Sequence, residues 1–320
     1  MYAIRIEEHG GPEVMRWTEL PDPVPGPGEA LVRLGAAGVN YMDVGARSQG
    51  TGGWAAPTVL GAEGMGYVTA LGPGVWDLAV GDRVAWFYHQ GSYAELLAVP
   101  AASLVKVDDD VPDDVAGGLL MQGLTANHLS TETYPVGPGD TAVVHAAAGG
   151  VGLLLTQLVK ARGGNVIGLV SRPEKADAAR RAGADHVLVH SGAGFEEPVR
   201  ELTGGRGADV VYDGGGADTF ASSQLALRPH GVHAYYGPFM GVPTLRPTDL
   251  PNSILLTYPV VHHHVATREA LVRRAGEVFG LVRDGRLTPL ITGRYPLAEA
   301  ARAHADLESR RTTGKLLLLP

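Results

Sequence analysis

Between Thr141 and Tyr236 the chain alternates apolar runs with helical stretches: "TAVVHA", "GLLLTQLVKARG", "NVIGLVS", "PEKADAARRAG", "HVLVH", "FEEPVRELTG", "ADVVYDG", "TFASSQLALRP" and "GVHAYYG". Strands joined through helices return by crossovers, and the economical solution is a doubly wound parallel sheet with right-handed connections. Thr141 to Val159 carries no Asp, Glu, Lys or Arg, yet His145, Gln157 and three glycines punctuate it as strand, turn and helix. That stretch reads as buried core, not as a membrane span.

The flanks follow another pattern. From Tyr2 to about Lys106, runs such as "EALVRLGAAGV", "GYVTALG", "DRVAWF" and "AELLAVP" are separated by Gly and Pro clusters, as in a small irregular sheet or barrel. "DDDVPDD" then supplies the acidic start of a helix over Val115 to His128. Beyond the alternating region the sequence predicts helices around Thr267 to Val282 and Leu297 to Leu307, then a strand in "GKLLLLP". An isolated strand cannot bury itself, so this one is expected to return to the first part of the chain. The 320 residues suffice for two domains at roughly 150 residues each. The plan is a part formed by residues 1–121 and completed by 263–320, with a nucleotide-binding part, 122–262, inserted between.

Composition narrows the function. The 45 glycines are about twice the usual share and fit a turn-rich α/β chain. A net charge of -8 gives no electrostatic footprint for nucleic acid or an anionic membrane. The absence of cysteine excludes disulfides, thiolate nucleophiles and cysteine-ligated zinc. "MYAIRIEEHGG" has acids where a secretory signal needs its apolar run, so a cytoplasmic location is expected.

"VVHAAAGGVG" (143–152) stands where the first strand-to-helix turn of the parallel sheet belongs. Against a G-x-G-x-x-G pattern, Ala147 replaces the first glycine while Gly149 and Gly152 keep the others. Gly149 and Gly150 let backbone approach a pyrophosphate, and Gly152 lets the helix pack closely on the strand. About 20 residues on, "NVIGLV" ends where an acidic residue would grip the ribose 2′-hydroxyl of NAD. Ser171, Arg172 and Lys175 follow it instead. Cationic donors attract a 2′-phosphate, each charge-assisted hydrogen bond contributing roughly 1.5–3 kcal/mol. Two of them give on the order of a hundredfold preference or more for NADPH. The competing reading, cations decorating a helix start, works against the helix dipole.

With these residues in place, the chain resembles the zinc-free quinone oxidoreductases of the medium-chain dehydrogenase/reductase superfamily, the group that includes zeta-crystallin. The resemblance spans nearly the whole chain and rests on "GVNYMD" (38–43), "LGAEGMG" (60–66), "GSYAE" (91–95), "QGLTA" (122–126), "HAAAGGVG" (145–152), "EKADAARRAGADHV" (174–187), "VVYDGGG" (210–216) and "RRTTGKLLLL" (310–319). It implies a doubly wound parallel Rossmann sheet inserted in a β-rich GroES-like catalytic domain. It also implies cofactor contacts from Asn40, Thr125, Gly150, Val151, Ser171, Lys175 and Arg310, with His190 standing where a tyrosine helps hold the 2′-phosphate; the glycine turn and the cations after the strand add Ala148, Gly149 and Arg172 to the expected cofactor site. Relatives that use catalytic zinc carry a cysteine where Asn40 stands and a histidine where Ala62 stands, so no metal is expected. Two departures concern the site. Gly45 replaces a tyrosine of the substrate cleft, leaving Trp54 and Tyr41 to fill it, and Gly215 replaces an apolar residue, which is expected to loosen the nicotinamide end.

"HHH" (262–264), if extended, turns His262 and His264 one way without an obvious third ligand. Asp43 and Glu63 have no visible activating partner and are expected to make structural hydrogen bonds. The expected function is NADPH-dependent hydride transfer to a quinone or α,β-unsaturated carbonyl. Asn40 or an ordered water is expected to assist charge on the acceptor oxygen, with the proton coming from solvent or a nearby hydroxyl such as that of Tyr41. The alternative is an NADPH-binding sensor or crystallin-like protein with little or no turnover. Small-molecule partners are expected, with a homo-oligomer, and a dimer favoured, by resemblance.

Overall fold

The structure is a computed structural model describing residues 1–237, 241 and 243–320. The chain divides into two compact units, one formed by Met1–Gln122, Val265–Gly285 and Pro289–Pro320, the other by Gly123–His264 and Arg286–Thr288.

In chain order the first unit contributes β1 (Tyr2–Ile6), β2 (Arg16–Glu19), β3 (Glu29–Val39), α1 (Tyr41–Gln49), β4 (Thr58–Val59), β5 (Glu63–Leu71), β6 (Arg83–Phe87), β7 (Leu96–Pro100) and β8 (Val105–Lys106). Next comes α2 (Asp113–His128), whose first turn carries Asp113 and Asp114 as the dipole prefers. β2, β1 and β4 form a small antiparallel sheet, and β3 is central to a larger one, paired with β5, β7 and a strand from the far end of the sequence. Ala30, Val32 and Leu34 of β3 alternate into the core, where they meet Ile4, Ile6, Leu60, Trp86 and Tyr93. Each fully buried aliphatic or aromatic side chain of this kind contributes about 1.5–3 kcal/mol.

The second unit holds β9 (Thr141–Val144), α3 (Gly150–Ala161), β10 (Asn165–Val170), α4 (Ala176–Arg181), β11 (His186–Val189), α5 (Glu196–Leu202), β12 (Ala208–Asp213), α6 (Phe220–Leu225), β13 (Leu227–Tyr235), β14 (Leu255–Thr257) and α7 (Val261–His264). Its strands lie in the order β11-β10-β9-β12-β13-β14, every neighbouring pair parallel. The chain runs outward from β9 to β11, then returns to β12 on the other side of β9. The loops after β9 and β12 therefore leave in opposite directions and open a crevice at the carboxyl ends, where such sheets bind ligands. This is the doubly wound Rossmann order expected from the sequence.

The remaining elements are α8 (Arg268–Arg283), β15 (Ile291–Pro296), α9 (Ala300–Glu308) and β16 (Lys315–Leu319). β16 pairs antiparallel with β3, Leu317 opposite Gly38, which is the return expected of the terminal leucines. "HHH" corrects the extended reading: it is α7, and at about 100° per residue His262 and His264 no longer share a face. His264 instead contacts Glu132 and stacks on His128 with ring centroids 4.2 Å apart. Among the described residues no helix is long and apolar enough to cross a membrane.

Candidate functional site

The glycine turn follows β9 directly. Ala146 takes a left-handed conformation, φ 47°, and its carbonyl accepts the Gly149 N–H at 2.7 Å. Ala147 donates to the carbonyl of Leu169 at 3.0 Å, which fixes the turn to the end of β10. A Cβ on Gly152 would lie 2.3 Å from the Ala146 oxygen and 2.8 Å from the Ala147 Cα. Both are backbone atoms that cannot step aside, so only glycine lets α3 sit this close. Gly149 caps α3 without a side-chain hydrogen bond, which leaves the first-turn N–H groups of α3 available to an anion. Ala148 is buried, and Gly149, Gly150 and Val151 are half-buried.

After β10 come Ser171 and Arg172, both exposed, and Lys175, half-buried at the N-cap position of α4. The Lys175 N–H donates to the Arg172 carbonyl at 3.2 Å, folding the segment into a single 3-10 turn. His190, just past β11, donates its N–H to the Val170 carbonyl at 2.8 Å and so stands beside the end of β10. Its ring packs edge-on against Phe195, and Nδ1 has no hydrogen-bond partner among the described residues. The structure thus brings Ser171, Arg172, Lys175 and His190 to neighbouring strand ends beside the turn. Hydrogen-bond donors for a pyrophosphate and cations for a 2′-phosphate fit a phosphorylated dinucleotide. Thr125 lies half-buried on α2. The Gly215 N–H donates to Asp213 Oδ1 at 2.8 Å.

In the first unit Asn40 is the N-cap of α1, and its N–H donates to Asp43 Oδ2 at 2.8 Å. Its side-chain amide donates to Glu63 Oε1 at 2.9 Å and to the Gly38 carbonyl at 3.4 Å, while Oδ1 accepts from Lys315 Nζ at 2.8 Å. Both amide hydrogens are therefore engaged in this geometry, a departure from the donor role expected toward an acceptor oxygen. Glu63 also pairs with Lys315 and accepts the Met121 N–H at 2.8 Å. Tyr41 donates its hydroxyl to the Leu307 carbonyl at 3.1 Å, and burial pushes that hydroxyl above its usual range against the pull of nearby Arg310. Arg310 is exposed, with a left-handed φ of 55°. Trp54 is buried against Tyr88 at 6.0 Å.

Two features escaped the sequence. One is Lys315. The other is a directional chain that supports Asp43. Arg47, 1% exposed, donates to both oxygens of Glu308 at 3.0 and 2.9 Å and to His304 Nδ1 at 3.1 Å. A guanidinium only donates, so His304 Nδ1 accepts and Nε2 carries the proton. Nε2 then donates to the Tyr93 hydroxyl at 3.1 Å, which donates to Asp43 Oδ2 at 2.9 Å. Burial pushes Asp43 up to about 7 in spite of these donors, and burial together with Arg47 pushes His304 down to about 3.

These shifts have opposite consequences for stability. Folded Asp43 holds a proton that the unfolded chain gives up above its ordinary value of 3.8, so its contribution is lost as pH rises from there toward about 7. Folded His304 refuses a proton that the unfolded chain takes below 6.5, so its contribution is lost as pH falls through that value toward about 3. In thermal melts between about pH 4 and 6.5, Asp43→Asn is expected to make the slope of Tm against pH more positive. His304→Gln is expected to make it less positive; slopes moving together would contradict the assignment.

Among the described residues no group of three or more His, Cys, Asp or Glu side chains is placed to hold a metal ion. A parallel sheet with an uncapped glycine turn at its switch point, in a chain that also folds a β-rich unit, defines a dinucleotide-binding α/β protein. Residues 26–109 match the alcohol dehydrogenase GroES-like domain and residues 150–271 the zinc-binding dehydrogenase domain. The chain is 39% identical to a quinone oxidoreductase of Pseudomonas aeruginosa, covering 99% of each, and 38% identical to a 2-haloacrylate reductase of a Burkholderia species, covering 99% of this chain and 98% of that one. The quinone oxidoreductase of Escherichia coli, solved in complex with NADPH, superposes with a TM-score of 0.96 at 34% identity, covering 100% of both chains. A mycobacterial protein, also solved with NADPH, gives a TM-score of 0.96 at 45% identity with the same coverage. The protein belongs to the quinone oxidoreductase family of the medium-chain dehydrogenase/reductase superfamily.

Proposed function

We propose that this protein is an NADPH-dependent reductase that passes hydride, without a metal, to a quinone or another electron-poor acceptor such as an α,β-unsaturated carbonyl. The observation that carries the reading is the cationic turn of Ser171, Arg172 and Lys175 at the end of β10, where an acidic residue would select NAD. It is supported by relatives that are quinone oxidoreductases and a 2-haloacrylate reductase, whose acceptors are electrophilic. When bound, the nicotinamide supplies the hydride, and the protein's task is to bind, orient and exclude water.

In this reading the first turn of α3, with Ala148, Gly149, Gly150 and Val151, holds the pyrophosphate. Ser171, Arg172, Lys175 and His190 hold the 2′-phosphate. Thr125, Asn40 and Arg310 line the rest of the cofactor. Asn40 is oriented by Glu63 and Lys315, and the proton that accompanies hydride comes from solvent or from a hydroxyl such as that of Tyr41. The domain plan of the sequence and a homodimer are part of the same proposal.

The test follows NADPH absorbance with a panel of quinones, enones and haloacrylates, in parallel with NADH. Turnover with any acceptor, faster with NADPH, is the expected result. NADPH binding without turnover across the panel would replace the enzyme by a sensor or crystallin-like protein.

A further inference from the structure

His145, the last residue before the glycine turn, is 3% exposed, and its N–H donates to the Tyr212 carbonyl at 3.1 Å. β9 and β12 are direct neighbours, Val144 opposite Tyr212, so His145 and Asp213 stand side by side at the switch point of the sheet. Asp213 is fully buried and surrounded by donors. Its Oδ1 accepts the Gly215 N–H at 2.8 Å and the Thr219 hydroxyl at 2.9 Å, and lies 3.3 Å from His145 Nδ1. Its Oδ2 accepts the Ser223 hydroxyl at 2.7 Å and faces His233 Nε2 at 3.1 Å. Ser223 Oγ is also 3.2 Å from His145 Nε2, and Phe195 closes the ring edge-on at 5.1 Å.

These distances assign the protons. Burial alone would raise the Asp213 carboxyl, but the imidazoles of His145 and His233 and the Ser223 hydroxyl outweigh it and hold the group well below the usual carboxylate range. A carboxylate accepts only, so a hydrogen on His145 Nδ1 faces Asp213 Oδ1 favourably at 3.3 Å, where a lone pair would be repelled. Burial keeps the ring from gaining a second proton. His145 Nε2 is then an acceptor, and the single Ser223 hydrogen lies between it, at 3.2 Å, and the nearer Asp213 Oδ2, at 2.7 Å, so that neither faces a bare lone pair.

The same residue borders a strained turn. Ala146 occupies the left-handed region that residues other than glycine avoid, and such conformations persist where their surroundings over-determine them. His145 supplies that constraint on one side, and the Gly149 N–H bonded to the Ala146 carbonyl supplies it on the other.

We propose that His145, as its Nδ1–H tautomer, is a positioning residue for the cofactor: with that N–H facing Asp213 and its backbone N–H on Tyr212, it holds the end of β9 to the end of β12 and fixes the Ala146–Gly149 turn that presents α3 to the pyrophosphate. The proposal rests on the NADPH reading above. It separates from a merely structural histidine because the two ring nitrogens have different duties, and amide side chains can replace them one at a time. His145→Asn places an N–H near the Nδ1 position, whereas His145→Gln reaches toward Nε2.

Two measurements decide it. NADPH affinity is measured by calorimetry on the wild type and on both variants, with thermal melts of each without cofactor. His145→Asn is expected to bind within about threefold of the wild type and His145→Gln about tenfold more weakly, the loss of one buried hydrogen bond. Equal binding by all three, or equal losses in both variants, overturns the proposal. Nitrogen-15 spectra of the wild type, with the His145 signals assigned by their absence from His145→Asn, are expected to show the proton on Nδ1. A proton on Nε2 overturns the proposal even if His145→Gln fails to fold. A wild-type protein that does not bind NADPH overturns the cofactor reading and this one with it.

Discussion

Lys175→Glu is expected to weaken NADPH binding by roughly a hundredfold while leaving NADH binding nearly unchanged, since a lost charge-assisted hydrogen bond is worth roughly 1.5–3 kcal/mol and the new carboxylate repels the 2′-phosphate. The same substitution should slightly raise the stability of the cofactor-free protein. Lys175 occupies the N-cap position of α4, where a cation opposes the helix dipole by about 0.3–1 kcal/mol and an acid favours it. Opposite signs for stability and affinity are the useful signature, because a residue serving only the fold cannot lose affinity while gaining stability. Titrations with both nucleotides beside thermal melts provide the check. Equal weakening of NADPH and NADH would remove Lys175 from the 2′-phosphate site.

The second large effect concerns the buried pair of Lys315 and Glu63, 3% and 1% exposed. Glycines make room for it: a Cβ on Gly38 would fall 2.3 Å from Glu63 Oε1, and one on Gly118 would fall 2.9 Å from Lys315 Cγ. Lys315→Met leaves a buried carboxylate without its cation and deprives Asn40 Oδ1 of a donor. The expected cost is about 3–5 kcal/mol, or on the order of 10 °C in Tm. Lys315→Met combined with Glu63→Gln should recover most of that loss, because a buried pair replaced by neutral groups often costs little where a broken pair costs much. A double variant no more stable than Lys315→Met alone would show that the pair's charges do not stabilise each other.

What the sequence revealed and what it hid follow from range. The Rossmann sheet was legible because strands buried on both faces read as apolar runs, as in "NVIGLV", and because the glycine turn and the cations after β10 lie within one strand-helix-strand unit. The returning strand was legible in its four leucines, but nothing local marked Lys315 as the partner of Glu63, 252 positions away. The chain from Arg47 through His304 and Tyr93 to Asp43 joins α1, α9 and a loop that share no period. Three consecutive histidines carry no periodicity at all, so "HHH" could not announce α7. Gly215 is a related case: a glycine signals freedom in sequence, and only the structure shows its N–H held by Asp213.

The pairing of β16 with β3 also sets a timetable for synthesis. Asn40 waits for Lys315, 275 positions later, and at about 5–20 residues per second that interval is on the order of half a minute. The sheet of the second unit is assembled from neighbouring stretches and can close long before then. A growing chain therefore carries the parallel sheet alongside an open edge of β3, and Glu63 meets its cation only once residue 315 has been made.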